Sequence, residues 1–323
     1  MAGEFNLITR YFVNRQTQRK DVQLSLGDDS ALVTAPENVQ IAISTDTLVE
    51  GTHFIPGANP GWVAHKALAS NLSDLAAMGA SPAWVSLALT LPEPDELWLA
   101  PFTEAFFDLA NYFNIQLIGG DTTKGPLSMS LTVQGFVPQG EALRRDGAQM
   151  GDWIYVTGNL GDAAAGLEVI LDESKRSAPH AETLEYRHYH ATPRLLAGAA
   201  LRKVASSCLD ISDGLVSDLG HILKASEVGA MIDVDSLPIS NELLEFCHGD
   251  KDKALQMALT SGEEYELCFT IPEEHKGQMD TLLAPTGTKA TCIGQIRGTS
   301  ELSLQRNEKS VDWQLSGYDH FKV

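Results

Sequence analysis

Acidic and hydroxyl residues recur in short runs along this chain: Leu26-Gly27-Asp28-Asp29-Ser30, Ser44-Thr45-Asp46-Thr47, Gly119-Gly120-Asp121-Thr122-Thr123, Asp210-Ile211-Ser212-Asp213-Gly214 and Ser261-Gly262-Glu263-Glu264-Tyr265. Asp74 adds an acid from within a helical run. Taken singly, each run is explained by turn formation or helix capping, which Asp, Ser and Gly serve well. Taken together they leave carboxylates and small residues beside apolar strands, at sheet rims where ligand sites of α/β proteins form. Carboxylates gathered there repel one another unless cations join them. Magnesium prefers carboxylate, hydroxyl and water oxygens and binds through a few carboxylates plus substrate phosphates, so these residue types fit a nucleotide-magnesium site. Calcium is the structural competitor, weakened by the lack of a D-x-[DN]-x-[DN]-G loop with a distal Glu.

Several nucleotide-binding designs are absent. There is no G-x-x-x-x-G-K-[ST] loop, no kinase-type catalytic loop and no G-x-G-x-x-G, so any nucleotide use follows another design. Gly158-Asn159-Leu160-Gly161-Asp162 could cradle a phosphate before a helix, and reads equally well as a plain strand-to-helix turn.

The elements that must position these runs alternate in period. VQIAISTDTL, WVSLALTL, IQLIGGD and LSMSLTVQGFV read as strands, and VAHKALASNLSDLAAMGA and LWLAPFTEAFFDLANYF as helices, which predicts a mixed α and β layout. In the first helix Ala64, Leu68, Leu72 and Leu75 form an apolar stripe, Gly79 is placed to stop it, and Lys66, Ser70 and Asp74 share a second face that serves either solvent or a site. PQGEALRRDGAQMGD turns polar between two strand signals and is the best candidate boundary, placing domains at 1–138 and 139–323. A second α/β series follows through WIYVTG, GDAAAGLEVIL, a polar histidine-bearing stretch near 173–193, RLLAGAALRKV, and CLDISDGLVSDLGHILKA as strand, loop and helix. AMIDVD, YELCFTI and ATCIGQI read as later strands.

The chain's 323 residues, 43% hydrophobic, suffice for a substantial core, and roughly 100–200 residues per domain suggests about two domains. With 43 Asp and Glu against 23 Lys and Arg, the formal net charge is -20, a poor surface for nucleic acid, whose binding draws on clustered Lys and Arg. Cys208, Cys247, Cys268 and Cys292 form no CxxC or CxxxC pairing and read as buried free thiols of a reducing compartment rather than zinc ligands or disulfides. No basic-then-apolar leader and no run near the roughly 20 apolar residues of a membrane span is present, which predicts a cytoplasmic, non-membrane protein.

The runs GDDSALV, STDTLVEGTHF, NLSDLAAMGA, GGDTTKGP, DISDGLVSDLGH, SGEEYELCF and the terminal GYDHF resemble those of bacterial thiamine-monophosphate kinases, relatives of aminoimidazole ribonucleotide synthetases, selenophosphate synthetases and hydrogenase-maturation proteins. Seven runs in order cover nearly the whole chain. No cysteine precedes Cys208, unlike the reactive N-terminal position of selenophosphate synthetases, and the tail Tyr318-Asp319-His320-Phe321-Lys322-Val323 lacks the final cysteine of the hydrogenase-maturation proteins. GTHF, SGEEYEL and GYDHF set the chain apart from the aminoimidazole ribonucleotide synthetases.

The resemblance implies an α/β (α+β) fold of two domains: an N-terminal mixed sheet with helices that forms a barrel in a homodimer, and a C-terminal α/β sandwich, with the site in the cleft between them. It implies magnesium-shell positions at Asp29, Ser44, Thr45, Asp46, Asp74, Asp121 and Asp210, with Asp213 a further ligand. Gly120, Asp121, Arg145 and Ser212 match ATP-contacting positions, and a guanidinium such as Arg145 suits bidentate phosphate binding. His53, Glu263 and Tyr318 match positions contacting thiamine phosphate; Glu263 suits a cationic thiazolium, and the adjacent Glu264 leaves open which acid faces the ligand.

The implied reaction is ATP-dependent phosphorylation of thiamine monophosphate to thiamine diphosphate by direct, in-line, magnesium-assisted transfer, without a general base because the nucleophile is already an anion. The rivals are an ATP-dependent synthetase of the same superfamily and a non-catalytic metal or nucleotide sensor.

Overall fold

The computed structural model describes residues 4–13, 15–313 and 315, with side chains from residue 7 onward. The chain divides into two compact units, Met1–Leu75 with Ala80–Gly140, and Ala76–Gly79 with Glu141–Val323.

The first unit runs α1 (Glu4–Tyr11), β1 (Val22–Leu24), β2 (Leu32–Val33), β3 (Val39–Val49), α2 (Pro60–Ala77), β4 (Ser81–Leu91), α3 (Glu96–Tyr112), β5 (Gln116–Lys124) and β6 (Ser128–Pro138). β1 and β2 pair by themselves, and the remaining strands form a mixed sheet in the order β3-β6-β4-β5. α2 forms as its periodicity predicts: Ala64, Leu68, Leu72 and Leu75 are all but fully buried. Gly79 at φ +67 ends the helix, donating to the Ala76 carbonyl while Ala80 donates to that of Leu75, the double closure of a Schellman motif. α3 tolerates Pro101 within its first turns, and its N-cap Asp95 accepts the Leu97 N–H.

Two of the acidic runs are strand interior rather than loop, which corrects their assignment to strand ends. β3 pairs with β6 without interruption from Val39↔Pro138 to Val49↔Ser128, carrying Ser44-Thr45-Asp46-Thr47 in its middle. β5 likewise continues through Gly119-Gly120-Asp121-Thr122-Thr123 beside β4. The physical reason is cross-strand pairing: the Thr45 hydroxyl meets that of Thr132 at 2.9 Å and the Thr47 hydroxyl meets that of Ser130 at 2.6 Å.

The second unit runs β7 (Trp153–Thr157), α4 (Asp162–Leu171), α5 (Ala181–Tyr189), α6 (Leu195–Leu201), β8 (Ser207–Asp210), α7 (Leu215–Ser226), β9 (Gly229–Asp233), α8 (Asn241–Phe246), α9 (Lys251–Thr260), β10 (Leu267–Ile271), α10 (Met279–Leu283), β11 (Ala290–Arg297), β12 (Leu302–Arg306) and β13 (Lys309–Ser310). Its seven-stranded sheet has the order β13-β12-β9-β11-β7-β10-β8. Ile154, Val156, Leu209, Cys268 and Ile232 from the strands pack with Leu215, Leu219, Ile222, Leu255 and Leu259 from α7 and α9 in one core. The mixed α/β class and two-part organisation agree with the sequence reading. No helix among the described residues is long and apolar enough to cross a membrane.

Candidate active site

In the first unit the structure brings together Ser44, Asp46 and Asp74. Strand alternation sets Ser44 and Asp46 on one face of β3, and α2 presents Asp74 to that face, where the Ser44 hydroxyl donates to the Asp74 carboxylate. β3 is an edge strand, so an amide the ladder leaves over is taken from α2: Asp46 N–H donates to Asn71 Oδ1 at 3.2 Å. Burial, reinforced by the charge of Asp74, pushes the Asp46 carboxyl up to about 6. The second face of α2 is therefore neither solvent-facing nor idle: Lys66 and Ser70 are buried along it, and Lys66 Nζ donates to the His53 carbonyl at 2.8 Å.

His53 lies in the turn after β3, where its Nδ1 accepts the Val49 N–H at 3.0 Å. That bond reserves the Nδ1 lone pair, so the neutral ring carries its proton on Nε2.

Other expected ligands of this unit stand apart from that group. Register aligns Asp46 with Leu131, Leu87 and Gly120, and aligns Asp121 instead with Ala88, Ser130 and Thr47. Asp121 thus shares the outer face of the sheet with Thr45 and Thr47, and Asp29 is exposed in the segment between β1 and β2. Among the described residues no three His, Cys, Asp or Glu side chains stand close enough together to hold a metal ion by themselves. Ser44, Asp46 and Asp74 nevertheless fit magnesium. They supply two carboxylates and a hydroxyl, one carboxyl already strained by its neighbour's charge, and magnesium usually takes only one or two protein carboxylates beside phosphate and water oxygens. Gly120 is required sterically, because a Cβ there would lie 1.9 Å from the Leu87 carbonyl oxygen. An irregularity between Val85 and Ser86 in the β4–β5 register precedes it, the kind of bulge that re-aims a strand's side chains.

In the second unit two acidic loops are pressed together backbone to backbone. Ile211 N–H donates to Glu266 O at 2.8 Å, Tyr265 N–H to Ile211 O at 2.9 Å, and Glu263 N–H to Ser212 O at 2.7 Å. Such closeness demands glycine: a Cβ on Gly214 would meet Thr260 O at 2.7 Å, and one on Gly262 would meet Ser212 O at 2.7 Å. Asp210 is buried at the end of β8, and Asp213 is half-exposed in the loop beyond. The sequence reading missed Asp218, which organises that loop from α7. Its Oδ2 accepts the N–H groups of Ser212 at 3.0 Å and Asp213 at 2.9 Å, and burial pushes its carboxyl up to about 6. The signal was present, as an Asp in the first helical turn after a glycine-ended loop is placed to cap it.

Glu263 and Glu264 stand in different surroundings. Glu264 is buried, and its Oε1 accepts the N–H groups of Gly161 at 2.7 Å and Ala163 at 3.2 Å as well as the Ser261 hydroxyl. Burial pushes it up to about 8, against the pull of those hydrogen bonds. Ser261 Oγ also accepts the Ala164 N–H at 3.0 Å. The N-terminus of α4 is thus closed by protein groups, which removes Gly158–Asp162 as a phosphate cradle. Glu263 is the partly exposed acid; it sits at φ +62, with Nε2 of the buried His188 3.3 Å from its carboxylate.

Arg144 and Arg145 also separate. Arg144 pairs bidentately with Asp146, at 2.8 and 2.5 Å, whereas the Arg145 side chain is exposed and has no ion pair among the described residues. Tyr318 lies outside the described residues.

The two-unit organisation and its acid-bearing loops fall into a known class. The family models for AIR synthase related protein match here, the N-terminal domain over residues 27–137 and the C-terminal domain over residues 149–307. The thiamine-monophosphate kinase of Escherichia coli K12 is 54% identical, covering 99% of this chain and 98% of its own. The crystal structure of thiamine-monophosphate kinase from Stenotrophomonas maltophilia K279a is 43% identical at a TM-score of 0.84, covering 91% of this chain and 93% of its own. A structure of AaThiL complexed with AMPPCP and TMP is 32% identical at a TM-score of 0.78, covering 99% of this chain and 97% of its own. The chain belongs to the thiamine-monophosphate kinase family.

Proposed function

We propose that the protein transfers the γ-phosphoryl group of ATP to the phosphate of thiamine monophosphate, giving thiamine diphosphate and ADP, the last step in making that cofactor. The observation that carries this reading is likeness over the full length, 54% identity across 99% of the chain, joined to similarity across 99% of the chain to AaThiL complexed with AMPPCP and TMP.

The acceptor phosphate is already an anion and needs no general base. The obstacle is charge: two like unit charges about 4 Å apart repel by about 1 kcal/mol in water and about 4 at an effective dielectric of 20. Bound magnesium would supply positive charge that offsets that repulsion. Ser44, Asp46 and Asp74 would hold one ion in the first unit, and Asp29, Thr45 and Asp121, which stand apart from that group, would be ligands of other ions. In the second unit Asp210 and Asp213 are the proposed magnesium ligands. Gly120, Asp121 and Ser212 contact the nucleotide, and Arg145 pairs with its phosphate oxygens. Glu263 faces the thiazolium cation of the thiamine substrate, and His53 and Tyr318 are the other positions expected to contact that substrate.

The protein is a cytoplasmic homodimer in this reading. Support comes from the outer face of the four-stranded sheet, where Ile41 and Ile43 remain 46% and 64% exposed, and from four free cysteines.

A coupled assay with ATP, magnesium and thiamine monophosphate tests the reaction, with free thiamine and aminoimidazole precursors as controls. ADP and thiamine diphosphate without free phosphate are the expected products. Phosphate release with a cyclised aminoimidazole product, or no turnover at all, rejects the kinase reading.

A further inference from the structure

His188 is a buried imidazole that the reaction above does not use. It sits on α5, 3% exposed, in a helix pressed against α4: a Cβ on Gly166 would lie 2.2 Å from Leu184 O and 2.8 Å from the His188 Cβ. The ring is therefore held from behind. Its Nδ1 lies 3.0 Å from the Ala163 carbonyl oxygen, which can only accept, so Nδ1 carries a proton. Its Nε2 lies 3.3 Å from Oε2 of Glu263. With Nδ1 already protonated, that contact is complementary when one proton lies between Nε2 and Oε2, carried by the imidazole or by the carboxyl.

The backbone that carries Glu263 is unusual. It is in the left-handed region at φ +62, Tyr265 follows at φ +53, and the Glu263 N–H is spent on Ser212 O. We propose that His188 is a positioning residue that holds the Glu263 carboxylate, by one oxygen, in the orientation that receives the thiazolium cation of thiamine monophosphate. The proposal rests on Glu263 being the cation-facing acid. His188 touches no reacting atom, so its effect falls on substrate affinity rather than on phosphoryl transfer.

Two conservative substitutions separate positioning from packing. His188→Asn keeps a donor near Nδ1 for Ala163 O and loses reach to Glu263; His188→Gln keeps a donor near Nε2 for Glu263 and loses the Ala163 bond. The expected result is a KM for thiamine monophosphate raised about tenfold in His188→Asn and within about threefold of wild type in His188→Gln, with kcat and the KM for ATP near wild type in both. Equal damage by both variants, or greater damage by His188→Gln, overturns the positioning role.

Glu263→Gln, on a partly exposed loop, is measured alongside. If it leaves the KM for thiamine monophosphate unchanged, the assignment of Glu263 itself fails. If it raises that KM while His188→Asn does not, only the His188 proposal fails. Should His188→Asn not fold, the imidazole 15N resonances of the wild-type protein decide: a protonated Nδ1 and an Nε2 signal that moves in Glu263→Gln support the contact, and an Nε2 signal indifferent to that change overturns it.

Discussion

The Glu264 carboxylate accepts the Gly161 N–H at 2.7 Å, tying the loop before β10 to the first turn of α4. Ala163 and Ser261 donate to the same oxygen, so one buried acid completes a helix N-terminus and fixes the loop on which Glu263 rides. Glu264→Ala strands two backbone donors in a buried place, each worth about 1–3 kcal/mol. Urea denaturation should show a loss on the order of 3 kcal/mol, and a loss below about 1 would mean that water replaces the carboxylate.

The same acid sets a pH dependence. Burial raises its folded value to about 8 from an ordinary 4.5, so between those limits the folded state holds a proton that the unfolded chain has released. Its contribution to stability is complete below about 4.5 and is lost as pH rises toward about 8, by up to about 1.4 kcal/mol per pH unit for one proton. Melting curves from pH 5 to 8 should slope downward more steeply for wild type than for Glu264→Gln; parallel slopes would exclude Glu264 as the source.

Asp46→Asn removes a charge that Asp74 opposes. Turnover should fall by about 10²–10³, the usual cost of losing one group that stabilises developing charge, while the melting temperature holds or rises. Magnesium should stabilise the variant less than the wild type. Full activity at saturating magnesium would end the metal assignment.

Gly120→Ala and Gly119→Ala make a matched pair. The first puts a methyl 1.9 Å from Leu87 O, and nothing lies within 4 Å of the second. Denaturant midpoints should place Gly120→Ala on the order of 3 kcal/mol below wild type, with Gly119→Ala close to it. Equal midpoints would show that β5 can move aside.

Arg145→Ala should raise the KM for ATP roughly tenfold, since a hydrogen bond to a charged group contributes about 1.5 kcal/mol or more. Arg144→Ala, whose guanidinium is already held by Asp146, should leave that KM unchanged. Initial-rate kinetics at varied ATP compares them, and the reverse order would exchange their roles.

Much of the framework was legible in the chain. Apolar periodicity located α2, α3, α4 and α7 and most strands of the two larger sheets because burial of one face writes itself into sequence at fixed spacing. α5 was passed over as a polar stretch, since Ala181, Leu184 and His188 are buried there among exposed Glu182, Thr183 and Tyr186, too sparse an apolar set to register. The short β1–β2 pair and the strands β12 and β13 were missed for want of length.

By itself the sequence determined the family, the mixed α/β class and which acids deserved attention, because residue type and order survive without coordinates. Only the tertiary structure decided what each acid does locally. It joined Asp46 to Asp74 across 28 positions of chain, turned Asp121 to the other face of its sheet, and buried Glu264 while leaving its neighbour Glu263 partly exposed. Strand register, helix facing and the enclosure of a carboxylate by amides depend on segments far apart in the chain, and no local spacing encodes them.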